Sequence, residues 1–415
     1  MASPCIASYL SPREAAERLR GGGRILVGGC TAEPCDILDA VAADPEIWRG
    51  VTLTGAFIPG VNDRDLSALV PDGRVETVFI TPGLRKDRAR GTVAHLPMHY
   101  TAFHDRIARP GVIDAVVIMV PPPKGGTVGL GLCADFAPAA IASGARLIGL
   151  VNHAMPDAPG APRLPLDRFD ALAEGSAPLP ELAPTEPDAI NRRIARLIAG
   201  LVPEGGSLQL GLGGLQAAIL EALHDRRDLG FHGGMISAGV LDAIEAGGFS
   251  RGVTTGVALG NRGFYDRLGN AEAVRFAPVN KTHSIACLSA IPSMTCVNSA
   301  LQVDLTGQVN VEYVGGRQVS GQGGMVDFIR GARASAGGRA ILALPSTARN
   351  GSISRIVPRL EAGVPVSVAR SDVDFVVTEH GVADLREADM ITRQARLIAI
   401  ADPAFHDSLW QEVQG

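Results

Sequence analysis

The chain has 415 residues, 46% apolar and 20% charged, with 50 glycines and a formal net charge of −5. That length accommodates two or three domains with sizeable cores, and the balance is that of a globular protein. The absence of any basic block argues against nucleic acid as a partner, and no stretch reaches the ~18 uninterrupted apolar residues of a membrane helix.

The N-terminal stretch MASPCIASYLSPREAAERLR has no basic start followed by an apolar run, so no secretory leader and a cytoplasmic location are expected. SPREAAERLR (11–20) predicts a helix, with Ser11 as cap, Pro12 in the first turn and Glu14 completing a capping box. GGRILVGGC (22–30) follows as a short apolar strand ending in glycines, and VTLTGAF (51–57), RVETVFIT (74–81), IDAVVIMV (113–120) and ARLIGLV (145–151) are strand-like in turn. Near-continuous apolar strands alternating with helical stretches predict an α/β fold with a largely parallel, buried sheet. Residues 154–187 contain eight prolines and no long periodic segment, which predicts a linker or irregular crossing segment.

After it the rhythm restarts. PDAINRRIARLIAGLV (187–202) has apolar residues at helical spacing and precedes EGGSLQLGLGG (204–214), as the first helix preceded GGGRILVGG; later strands are GVTTGVAL (252–259), RAILALP (339–345) and DFVVTEHG (374–381). Two α/β domains of related construction are expected, 1–185 (ending in the proline-rich segment) and 186–415. The six cysteines form no CxxC pair and no Cys/His cluster with zinc spacing, so no metal is expected and most cysteines read as small core residues.

Glycine-rich strand ends are the candidate binding elements. LQLGLGGLQAAIL (208–220) is a strand, a glycine turn and a helix start, whose exposed N–H groups suit a phosphate or an oxyanion. It is not a GxGxxG fingerprint and lacks the acidic partner, which disfavours a nicotinamide-dependent oxidoreductase. PPPKGGTVGLG (121–131) and SGQGGMVDF (320–328) are further loops open to close backbone approach, and PSTARNGSISRIVP (345–358) brings hydroxyls, Arg349 and Arg355 after a strand. Open α/β sheets bind ligands at such strand ends.

SGQGGMVDFIRGA, LPSTARNGSISRIVP and DFVVTEHGVADLR resemble the C-terminal half of the acetyl-CoA hydrolase/transferase family, which includes 4-hydroxybutyrate CoA-transferase. CTAEPCDILDAV (30–41), VPPPKGGTVGLGLCADF (120–136), LQLGLGGLQAAIL and NSALQVDLTGQVNVE (298–312) extend the resemblance over nearly the whole chain. It implies two CoA-transferase-type α/β domains with the active site between them, coenzyme A as acyl-CoA substrate, a small carboxylate as possible second substrate, and a homodimer. It also implies ping-pong chemistry, in which a glutamate attacks the acyl-CoA and then carries CoA as a glutamyl thioester, with glycine amides as oxyanion hole. The resemblance assigns Gly211, Leu212, Gly213, Gly214 and Leu215 to the CoA-contacting turn. Gly323 and Gly324 fall in a second glycine loop near the thioester, and Ser346 and Arg349 in a segment touching CoA.

The nucleophile does not carry over. The family segment of the form HSEMISDGV reads here His232, Gly233, Gly234, Met235, Ile236, Ser237, Ala238, Gly239, Val240. The glutamate falls on Gly234 and the following aspartate on Ala238, so the glutamyl-CoA route is closed at this position. The lost side chain is expected to leave space for water or a bulkier acyl group. Glu33, Glu312 and His232 are the candidate replacements as general base. Hydrolysis, or another reaction on a CoA thioester that forms no glutamyl-CoA, is the expected activity. The alternatives are a CoA-transferase with a relocated nucleophile and a catalytically silent CoA binder.

Overall fold

The computed structural model describes residues 9–88 and 90–414. The chain forms two compact units, one of residues 1–183 with 254–282, the other of residues 184–253 with 283–415. Among the described residues, no helix is long and apolar enough to cross a membrane.

The first unit opens on helix α1 (Pro12–Glu17). Its capping box is present: the Ser11 hydroxyl accepts from the Glu14 N–H at 3.3 Å, and the Ser11 N–H donates back to the Glu14 carboxylate at 2.8 Å. Seven strands form its main sheet: β1 (Arg24–Val27), β2 (Thr52–Gly55), β3 (Arg74–Thr77), β4 (Val93–His95), β5 (Ala115–Val120), β6 (Arg146–Asn152) and β7 (Ala171–Gly175). They lie in the order β4-β3-β2-β1-β5-β6-β7, and every neighbouring pair is parallel. All six residues of the near-central β5 are buried, as an apolar run without alternation demands. Packing explains the glycines that end β1: a methyl on Gly29 would lie 2.2 Å from the Ala56 carbonyl oxygen.

Two sequence expectations need correction here. The proline-rich segment is not only a connector, because β7 lies inside it and pairs with β6 from Ile148↔Ala171 to Asn152↔Gly175. Its five residues ALAEG carry one branched apolar side chain, too little periodicity to register as a strand. The second domain is also not one continuous stretch. Residues 254–282 return to the first unit, where Ala134 N–H donates to Gly256 C=O, Ala258 N–H to Leu132 C=O and Phe276 N–H to Gly160 C=O, each at 2.9 Å. Strand and helix periodicity does not say which body an excursion packs on.

The second unit has helices α2 (Ala189–Ala199), α3 (Gly214–Ala222) and α4 (Met325–Ala334). Its strands include β8 (Ser207–Leu210), β9 (Gly230–His232), β10 (Met294–Ser299), β11 (Arg339–Ala343), β12 (Phe375–Thr378) and β13 (Gly381–Asp384), adjacent in the order β9-β8-β10-β11-β12-β13. The pairs are parallel except β12 with β13, which is a hairpin. Helix α4 buries Val326, Phe328, Ile329 and Ala332 in one core with Met294 and Cys296 of β10 and Ala340 and Leu342 of β11. Both units are thus α/β with largely parallel sheets, the fold class expected from the sequence.

Candidate active site

The C-terminal ends of β8, β9 and β10 gather the chemistry of the second unit. Beyond β8 the chain turns at Gly213, whose φ of +117° is a conformation that L side chains rarely adopt, and α3 begins at once. No side chain caps α3, so the N–H groups of its first turn remain available to an anion. Side-chain amides tie this turn to the neighbouring strand end. Gln216 Nε2 donates to Ser299 Oγ at 3.2 Å, and Asn298 Nδ2 donates to Gln209 Oε1 at 3.1 Å. Gly213 is exposed, Gly211 and Leu212 are half-buried, and Gly214 and Leu215 are buried.

At the end of β9 stands the glycine pair. Gly234 does not have a positive φ, so its backbone admits a side chain. The space beside it is occupied: a methyl on Gly234 would lie 3.0 Å from Cε1 and 3.1 Å from Nε2 of His283. The expectation of an open slot for water or a larger acyl group is therefore corrected at its first atom, because the His283 imidazole crowds the Cβ position. Gly324, in the second glycine loop, meets the same ring from elsewhere. A methyl there would lie 2.3 Å from both Cδ2 and Nε2 of His283. Gly324 has φ −88°, which any residue adopts, so the ring and not the backbone demands glycine at this position. Gly323, by contrast, has φ +53°. Phe328 on α4 completes the enclosure, its ring centroid 4.3 Å from that of His283.

His283 is 2% exposed. Burial, reinforced by the nearby His232, pulls its imidazole down to about 3, so the ring is neutral at physiological pH. His232 itself is half-buried at the end of β9. The two histidines and two glycines form one cluster, of which sequence reasoning found His232, Gly234 and Gly324 and missed His283. A lone histidine in NKTHSIA carries no spacing signal.

The other candidates lie in different surroundings. Glu33 belongs to the first unit, buried, with its carboxylate accepting from Asn62 Nδ2 and, at 3.3 Å, from Arg64 Nε. Burial pushes it up while Asn62 and Arg64 pull it down, and the net direction is upward. Glu312 is in the second unit, also buried and also pushed up by burial, with Ser367 Oγ donating to it at 2.7 Å. Ser346 is fully buried, and its N–H and hydroxyl both donate to Glu379, at 2.8 and 2.7 Å. Arg349 is exposed on a turn with φ +48°. Among the described residues no group of His, Cys, Asp and Glu side chains is arranged to hold a metal ion.

Comparisons with known proteins converge on one family. The profile of the acetyl-CoA hydrolase/transferase C-terminal domain matches residues 260–413. The 4-hydroxybutyrate coenzyme A transferase of Clostridium kluyveri is 31% identical over 97% of this chain and 96% of its own length. An acetyl-CoA hydrolase of Candida albicans is 29% identical over 53% of this chain and 41% of its own. Among solved structures, RipA from Yersinia pestis superposes with a TM-score of 0.90 at 30% identity, covering 98% of this chain and 97% of that one.

Proposed function

From the premise that this chain belongs to the acetyl-CoA hydrolase/transferase family and is an acyl-CoA-processing enzyme, we propose that it hydrolyses a CoA thioester without forming a glutamyl-CoA intermediate. The observation that carries this reading is the strand end at Gly234, where position 234 has no side chain and the neutral ring of His283 crowds the Cβ position. An imidazole buried to this degree is no substitute for a glutamate that must travel between anhydride and thioester.

In this reading CoA lies against the Gly211–Leu215 turn, where the uncapped first turn of α3 offers N–H groups to a phosphate or an oxyanion. His232, half-buried at the end of β9, takes a proton from water. The water oxygen attacks the thioester carbonyl, the C–S bond breaks, and the proton passes to the departing CoA sulfur, leaving a free acid and CoA. The base is placed at His232 in preference to Glu33 and Glu312 because His232 stands two residues from Gly234 and close enough to His283 to act on its imidazole.

A panel of acyl-CoA thioesters, with free CoA thiol and newly formed acetyl-CoA both monitored in the presence and absence of acetate, tests the proposal. Thiol release from at least one thioester is expected, unchanged within about twofold by acetate, and His232→Gln should lower it about 100-fold or more. Acetate-dependent CoA transfer would instead favour a relocated nucleophile. CoA binding with every thioester left intact would favour a silent binder.

A further inference from the structure

The two glycines that flank His283 come from different elements, one from the end of β9 and one from the loop before α4, and both have backbones open to side-chain-bearing residues. What they share is a single imidazole. At Gly324 even a methyl would overlap the ring, at 2.3 Å, and at Gly234 a methyl would sit in tight contact at 3.0 Å. Phe328 backs the ring at a centroid distance of 4.3 Å and also lies 3.7 Å from the Gly234 methyl position, so the ring cannot withdraw towards α4 without meeting another aromatic. A close-packed interior transmits such a conflict instead of absorbing it.

We propose that imidazole and carboxylate are alternative occupants of this one slot, and that His283 is the specificity-determining residue that keeps the site from carboxylate-mediated CoA transfer. The assignment rests on reading Gly234 as the place of the absent nucleophile. A glycine where the resemblance expects the glutamate, and an imidazole pressed against that glycine, are then two sides of one arrangement. Restoring a glutamate alone places its Cβ against Cε1 and Nε2 of the ring. His283→Asn removes those two atoms while keeping a polar group of similar reach to Cδ2 and Nδ1, and so frees the slot.

The test is a double-mutant cycle on the full chain with Gly234→Glu, His283→Asn and the pair, read by thermal melting and by CoA transfer to acetate from propionyl-, butyryl- and hexanoyl-CoA. Gly234→Glu alone should melt about 5 °C lower than the parent, and the pair should recover at least half of that loss. Transfer to acetate should appear in the pair at least tenfold above Gly234→Glu alone. Should Gly234→Glu fail to fold, Gly234→Ala with His283→Asn gives the same melting cycle with a smaller side chain. Additive melting shifts, or equal transfer in the single and double variants, would overturn the proposal. Coupled melting without transfer in the pair would reduce His283 to packing and overturn its role in specificity. Hydrolysis by the parent protein is followed in parallel. Its absence alongside coupled melting and transfer by the pair defeats the hydrolytic reading and leaves the arrangement standing.

Discussion

Gly324→Ala is expected to destabilise the protein by about 3 kcal/mol. The added methyl would lie 2.3 Å from two atoms of the His283 ring, a separation that real contacts do not reach. The ring is enclosed by Phe328 and by the Gly234 strand end. Since φ at Gly324 is −88°, backbone strain contributes nothing and the whole effect is steric. Denaturant unfolding of Gly324→Ala and of Gly324→Ala with His283→Asn separates the causes: the second substitution should restore part of the loss. A Gly324→Ala protein as stable as the parent would mean that the imidazole does not occupy this place.

Acid should destabilise the second unit through the same residue. The His283 imidazole is pulled down from 6.5 to about 3 in the folded protein, so its folded pKa lies below its unfolded value. Above pH 6.5 neither state holds the proton and the residue contributes no pH dependence. Between pH 6.5 and 3 the unfolded chain binds a proton that the folded chain refuses, and stability falls as pH falls, by up to about 1.4 kcal/mol per pH unit. His283→Asn cannot titrate there. The stability difference between parent and variant, measured by denaturant unfolding at pH 7.5 and at pH 5, should therefore shift in the variant's favour at the lower pH. A difference that stays constant across that range would contradict the buried neutral ring.

Much of the scaffold was legible in the sequence because its signals are local. The capping box at Ser11 and Glu14 needs three residues of separation, and it forms as expected. Runs such as AVVIMV lie in a fully buried parallel strand, where no alternation is needed. The strand–glycine–helix passage at 208–220 becomes β8, the turn at Gly213 and α3. What escaped depends on contacts distant in sequence. Strand β7 is defined by its pairing with β6 and not by its own small, weakly patterned residues. The return of residues 254–282 to the first unit is fixed by hydrogen bonds to residues 132–135 and 160. The candidate site was half legible for the same reason. The resemblance of HGGMIS to a family segment raises the expectation of a missing carboxylate at Gly234, but nothing in NKTHSIA announces that its histidine packs against Gly234 and Gly324. The three parts meet only in the folded chain, and a glycine that spares room for a neighbour looks in sequence like a glycine that serves a turn or a ligand.

The central claim, thioester turnover without a covalent protein–CoA intermediate, is tested most directly by intact-mass analysis of the protein during turnover, with and without borohydride. An enzyme that passes through a glutamyl-CoA thioester gains the mass of the bound CoA and loses activity when borohydride reduces the thioester. The account predicts only the unmodified chain in every sample, and activity that survives borohydride in the presence of acyl-CoA. A CoA adduct on the chain, with loss of activity on reduction, would contradict it and would locate the displaced nucleophile at whichever residue carries the adduct.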